Sequence, residues 1–245
     1  MKIAFRISFL GQNFYGTQKL NNKRTIQGVF EEVLSNLYDQ KIKVAICSRL
    51  DRKVNATDFV LSFIAPDERF DVAKLHYVVS RYLGKDIHVI GAFIVPDDFH
   101  PRGSCLSKTY KYSIQNGDIN PLYNNFTFTP IRHIDEDRFI EALNLFKGKH
   151  DFRYFSSPEG NENTILRINN VYTNHKNGLF NVYIVGKKFL RYQIRFIIGA
   201  CLNYCCNRIT LDDIKKLLAG TNVNHPRLKA EPEGLCLEKV KYKCI

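Results

Sequence analysis

One order of hydrophobic periods runs through this chain twice, and it restricts the fold more than any single residue does. KIAFRISFL (2–10) alternates apolar and polar residues as a half-buried strand does, whereas TIQGVFEEVLSNLYDQ (25–40) spaces its apolar residues three and four apart, as a helix does, with Thr25 as its cap. KVAICS (43–48) and DFVLSFI (58–64) read as two more strands. DVAKLHYVVSRYLG (71–84) repeats the helix, with Asp71 capping and Gly84 stopping it, and IHVIGAFIV (87–95) closes with a strand. The order is βαββαβ. A split βαβ unit of this kind makes an antiparallel sheet with both helices on one face, which leaves the other face open for binding.

The second pass begins after the turn-rich VPDDFHPRGSC (95–105) with LSKTYKYSI (106–114). A helix over 135–148, strands over 167–173 and 179–186, a long apolar helix from 190 to about 207, a short helix over 211–220 and a last strand over 234–243 follow. The predicted class is α+β: two similar α/β halves, 1–104 and 105–245, each with a largely antiparallel, RRM-like sheet. A cleft is expected between them, where ligand sites are common.

Charge narrows the partners. Thirty-six Lys and Arg against 24 Asp and Glu give a formal net charge of +12, which favours polyanions through long-range attraction and counterion release, so nucleic acid leads. No stretch approaches the roughly 18 uninterrupted apolar residues of a membrane span, the strongest helical patterns carry mixed charge, and the first residues lack a convincing cleavable signal. A cytoplasmic protein without a membrane role is expected. Seven cysteines do not make a disulfide framework in a chain of this size, and Cys201, Cys205 and Cys206, in an apolar segment with no neighbouring His, read as small buried hydrophobes rather than metal ligands.

The chemistry concentrates in SRLDRKVNA (48–56), where one carboxylate, Asp51, stands between Arg49 and Arg52. Three roles fit such a group: a structural ion pair, a docking point for an anionic partner, or a catalytic carboxylate held ionised by nearby guanidinium. Lys19, Lys23, Arg24, Arg52, Lys53, Arg102 and Lys108 together would make a phosphate track, although each alone reads as a solvated charge. In KTYKY, alternation sends Tyr110 and Tyr112 to one face of a strand and Lys111 to the other; Tyr112 reads as a half-buried strand aromatic.

Five stretches in register resemble the motifs of one family, the TruA-type tRNA pseudouridine synthases. SRLDRKVNA resembles its Arg-Thr-Asp-x-Gly-Val-His-Ala segment, and FLGQNFYGTQ (9–18) its Tyr-Asp-Gly-x-x-Phe-x-Gly-x-Gln opening. DDFHPRGSCLSKTYKY (97–112) resembles its Phe-His-Ala-Arg and Lys/Arg-x-Tyr-x-Tyr pair, FLRYQIRFIIG (189–199) its Phe-x-x-x-Met-x-Arg-x-x-x-Gly helix, and EPEGLCL (231–237) its Pro-Glu-Gly-Leu-x-Leu ending. The resemblance implies the pseudouridine synthase fold and isomerisation of uridine to pseudouridine in the anticodon stem-loop of tRNA, at tRNA positions 38 to 40. It implies a homodimer, and no metal or small-molecule cofactor.

By the same resemblance Asp51 is the essential carboxylate, Tyr110 stacks on the target uracil and serves the C5 proton step, and Arg195 reaches the site; a guanidinium within roughly 4 to 6 Å, Arg49 or Arg195, would keep Asp51 ionised. Phe189 is an apolar wall there unless it packs in the core. Arg49 and Arg52 more naturally touch phosphate. The chain departs from the family pattern at Thr17, Leu50, Lys53 and Asn55. Lys53 stands where Gly is usual, which predicts a strained or reshaped turn. Those departures leave open an alternative, a tRNA-binding protein that has kept the fold and lost turnover. A β-sheet RNA-recognition module is disfavoured because the chain has no Lys/Arg-Gly-Phe-x-Phe-like stacking motif.

Overall fold

A computed structural model describes residues 1–160 and 162–245, and its chain divides into two compact units: Met1–Ser107 together with Cys236–Ile245, and Lys108–Leu235. In the first unit, strand β1 (Lys2–Phe9) pairs antiparallel with both β3 (Asn55–Ile64) and β4 (Ile87–Ile94), and the two-residue β2 (Ala45–Ile46) pairs with β3. The expected alternation is present in β1: Ile3, Phe5, Ile7 and Phe9 are all buried, while Arg6 and Ser8 are half-buried. Helix α1 (Ile26–Tyr38) packs on that apolar row, with Phe30 beside Phe5 at 6.0 Å between ring centroids.

Capping fixes where the helices start. The Thr25 hydroxyl accepts from the Gly28 amide at 3.2 Å, and the Asp71 carboxylate accepts from the Ala73 amide at 3.0 Å to open α2 (Val72–Ser80). Helix α2 ends four residues before Gly84, at Ser80, with Arg81 as its last half-turn.

The second unit repeats the pairing rule of the first. Strand β5 (Ser107–Ile114) pairs antiparallel with β8 (Leu179–Gly186), which pairs with β7 (Ile165–Lys176), as β1 pairs with β3 and β3 with β2. Helix α3 (Glu136–Asn144), capped by Asp135, stops short of the expected 148. Gly148, at φ 120°, lies outside helical backbone space and opens a strand that periodicity missed, β6 (Gly148–Asp151), paired with β7. Helix α4 (Gln193–Cys205) starts three residues later than expected because Tyr192 sits at φ 61°. Helix α5 (Leu211–Leu218) opens on a reciprocal capping box between Thr210 and Asp213.

The strand closing the chain, β9 (Leu235–Lys241), corrects the expected division, which placed all of 105–245 in the second half. Cys236 and Leu237 pair in parallel with Asn55 and Ala56 of β3, the Val240 amide donates to Asp58 at 2.9 Å, and the Tyr242 hydroxyl donates to the Pro101 carbonyl at 2.6 Å. From Cys236 onward the tail therefore belongs to the first unit. Of the three clustered cysteines, Cys201 is buried and Cys205 half-buried, but Cys206 is exposed, so the buried reading holds for the first alone. Burial raises the Cys201 thiol, and pushes Cys205 up to about 11.

Candidate active site

Asp51 lies in the loop between β2 and β3, half-buried, and that loop is fastened by the segment running from 9 to 18. Two of the five sequence motifs thus come together within one unit. Gly11 makes the contact possible at one end. A Cβ there would meet the Val54 carbonyl oxygen at 2.2 Å, while its amide donates to the Asn55 side-chain oxygen at 2.8 Å. Gly16, at φ 90°, does the same at the other end, where a Cβ would meet the Leu50 carbonyl oxygen at 2.6 Å.

Between the two glycines Thr17, 1% exposed, ties the loop directly. Its amide donates to the Leu50 carbonyl at 3.1 Å, its hydroxyl accepts from the Leu50 amide at 2.8 Å, and the same hydroxyl donates to the Ser48 carbonyl at 2.9 Å. A buried hydroxyl with donor and acceptor both satisfied holds a backbone more tightly than apolar packing alone. The loop then closes on itself, the Val54 amide donating to the Asp51 carbonyl at 3.2 Å. Lys53 sits in that turn at φ 69°, the left-handed region its expected replacement of Gly predicted. Leu50, a second departure, is buried at 7%.

In the second unit Tyr110 is 5% exposed on β5, and Phe189 meets its ring edge-on at 5.1 Å and 85°. Gly186 allows that approach, since a Cβ there would meet the Phe189 ring at 2.8 Å. Arg195 on α4 is 7% exposed and held against Ala230: its Nε donates to the Ala230 carbonyl at 2.7 Å and its own carbonyl accepts from the Ala230 amide at 3.1 Å. Tyr112 is fully buried rather than half-buried, its hydroxyl donating to the Glu231 carbonyl at 2.9 Å, and burial holds its phenol well above the ordinary range. Gly234 leaves room for that ring, because a Cβ there would stand 2.8 Å from it. The segments 108–114, 189–199 and 231–235 are therefore interlocked within this unit.

The basic residues divide by their surroundings. Arg49, Arg52 and Arg102 are exposed, and Lys53 is half-buried. Arg24 instead forms a two-pronged pair with Asp86, 2.6 and 2.9 Å, and lies over the Phe14 ring at 4.1 Å. That hydrogen-bonded guanidinium holds the Asp86 carboxyl below its usual range. Lys19 pairs with Glu31 at 2.8 Å, and Lys108 is 6% exposed, so it is not the surface charge the sequence suggested.

Sequence reasoning overlooked the constructive roles of Thr17 and Asn55, seen there only as departures. It also passed over Tyr192, whose ring carries Lys229 at 4.1 Å and Arg191 at 4.8 Å, and Tyr15. Among the described residues no group of three His, Cys, Asp or Glu side chains is arranged to hold a metal ion, and no helix is long and apolar enough to cross a membrane.

Comparison with known proteins places these motifs in a family context. The family model described as tRNA pseudouridine synthase matches residues 142–243. The tRNA pseudouridine synthase A of Dictyoglomus turgidum is 35% identical over 238 residues, covering 96% of this chain and 97% of that protein. The protein of the same name from Aquifex aeolicus is 33% identical over 236 residues, with 96% and 97% covered. That from Ureaplasma urealyticum is 32% identical over 243 residues, with 99% and 100% covered.

Proposed function

The chain belongs to the tRNA pseudouridine synthase family, and from that premise we propose that it isomerises uridine to pseudouridine in the anticodon stem-loop of tRNA, as a cytoplasmic homodimer. The observation that supports the reading at the level of chemistry is the fastening of Asp51. Its loop is tied at Ser48, Leu50 and Asn55 by backbone and side-chain groups of Gly11 and Thr17, so the residues flanking the carboxylate have fixed positions. A reaction group benefits from that arrangement because positioning removes orientational entropy from the barrier.

Isomerisation breaks the bond from C1′ to N1 and forms one from C1′ to C5; the C5 hydrogen leaves as a proton and N1 gains one. No redox step or external energy is required. In this reading Asp51 is the carboxylate that acts on the nucleoside, Arg195 is the guanidinium that the family resemblance assigns to the site, and Tyr110, backed edge-on by Phe189, takes the uracil ring and serves the C5 proton. Arg49, Arg52, Lys53 and Arg102 supply phosphate contacts; Lys19 and Arg24 pair with Glu31 and Asp86 and hold the loop's surroundings. A uridine within a stem must first be extruded, at a few kcal/mol of unstacking, which favours loops and helix ends as targets.

The test uses tRNA transcripts tritiated at uridine C5. Wild type releases label to water, and Asp51→Ala releases none while still binding tRNA. Binding without release from any tRNA by the wild type would make the chain a tRNA-binding protein that has lost turnover. Light scattering at micromolar concentration checks the dimer, and a monomer there would remove it.

A further inference from the structure

Beside the Asp51 loop, one exposed aromatic ring gathers two cations. Arg52 lies over the Tyr15 ring with its guanidinium carbon 4.4 Å from the centroid, and the Lys23 ammonium lies over the same ring at 4.7 Å. Tyr15 itself is 40% exposed. Among the described residues neither cation has a carboxylate within ion-pair distance, in contrast to Arg24 and Lys19 next to them. A cation held by a π-face keeps its full charge and its outward N–H donors, which a carboxylate would neutralise.

The backbone presents each of the three groups from a fixed turn. Arg52 follows Asp51 in the turn closed by the Val54 amide. Lys23 ends a tight two-residue turn, with Leu20 bridged to Lys23 and Asn22 at φ 58°. The Tyr15 amide donates to the Arg24 carbonyl at 2.9 Å, and Gly16 brings this segment against Leu50, Asp51 and Arg52. Neither long side chain therefore has to find its place from a freely moving loop.

We propose that Tyr15 is a positioning residue that organises Arg52 and Lys23 into a clamp for RNA phosphates directly beside Asp51. This rests on the reading of the chain as a tRNA-modifying enzyme and adds to it the contact that seats the strand next to the reacting nucleotide. RNA backbone is the ligand the geometry fits, because two unneutralised cations of different reach, carried on one ring, match successive phosphates. Phosphate contacts add counterion release without reading sequence.

The experiment is filter binding of two different purified tRNAs across a series of KCl concentrations, with thermal melting of each variant to confirm an intact fold. Arg52→Ala and Lys23→Ala are each expected to lower the slope of log affinity against log salt by about 1, equally for both tRNAs. Tyr15→Ala, which removes no charge, is expected to weaken binding at low salt, and Tyr15→Phe to restore it. Unchanged slopes for Arg52→Ala and Lys23→Ala would overturn the clamp. So would a Tyr15→Ala protein that binds like wild type, or a Tyr15→Phe protein as weak as Tyr15→Ala. Tritium release by the wild type, measured on the same preparation, separates the two readings. Altered binding without release leaves the clamp and removes the isomerase, whereas release with unaltered binding removes the clamp alone.

Discussion

Thr17 and Leu50 exchange two hydrogen bonds, the Thr17 amide donating to the Leu50 carbonyl at 3.1 Å and the Leu50 amide donating to the Thr17 hydroxyl at 2.8 Å. Thirty-three residues separate them, and Leu50 is the immediate neighbour of Asp51. The relationship converts a side chain in the first motif into a determinant of the second.

Thr17→Val keeps the shape of the side chain and leaves the Leu50 amide and the Ser48 carbonyl without their buried partner. The expected loss is about 1–3 kcal/mol in urea unfolding. Turnover falls through kcat, with KM for tRNA little changed, because the loop that carries Asp51 loses its register. Thr17→Ser restores both readings. Full kcat in Thr17→Val would separate the loop's fastening from catalysis.

Lys53→Gly separates backbone strain from charge. Lys53 holds φ 69°, and relief of the left-handed strain is expected to stabilise the fold by about 1 kcal/mol. The same change deletes a positive charge beside the Asp51 turn, so tRNA binding weakens at low salt while stability rises. Movement of both in one direction would contradict this division.

Tyr110→Phe keeps the ring that Phe189 meets edge-on and removes only the hydroxyl. Proton transfer by a positioned side chain contributes about 10²–10⁴ in rate. Single-turnover tritium release should fall within that range with tRNA binding retained. Wild-type rates would move the C5 proton step to another group.

The pair between Arg24 and Asp86 gives stability a specific acid dependence. Asp86 has its folded pKa lowered by the Arg24 hydrogen bonds, so its contribution is present above the ordinary Asp value of about 3.9 and is lost as pH falls through the lower folded value. Asp86→Asn should be less stable than wild type at neutral pH, with the difference shrinking as the pH falls below about 4. A gap that stays constant down to pH 2 would assign the effect to the altered hydrogen-bond geometry toward Asn13 and Arg24 rather than to ionisation.

What the sequence by itself determined is what short-range physics governs. Helix starts at Thr25 and Asp71 follow from side-chain caps within three residues, and strand faces follow from alternation, as in β1. The motif register singles out Asp51 as the candidate carboxylate for the same reason: a one-dimensional pattern of residue types is readable without knowledge of contacts. Tertiary structure alone decided the rest, because the deciding partner lies far along the chain. Arg24 meets Asp86 across 62 residues, and Tyr242 reaches Pro101 across 141. Lys108 is buried although its sequence neighbourhood reads as basic surface. Gly148 opens a strand where helical periodicity would have run on, since its φ is fixed by the pairing of β6 with β7. A hydroxyl at position 17 is an ordinary residue until folding sets it between Ser48 and Leu50, and burial makes those hydrogen bonds strong enough to fix the carboxylate's loop.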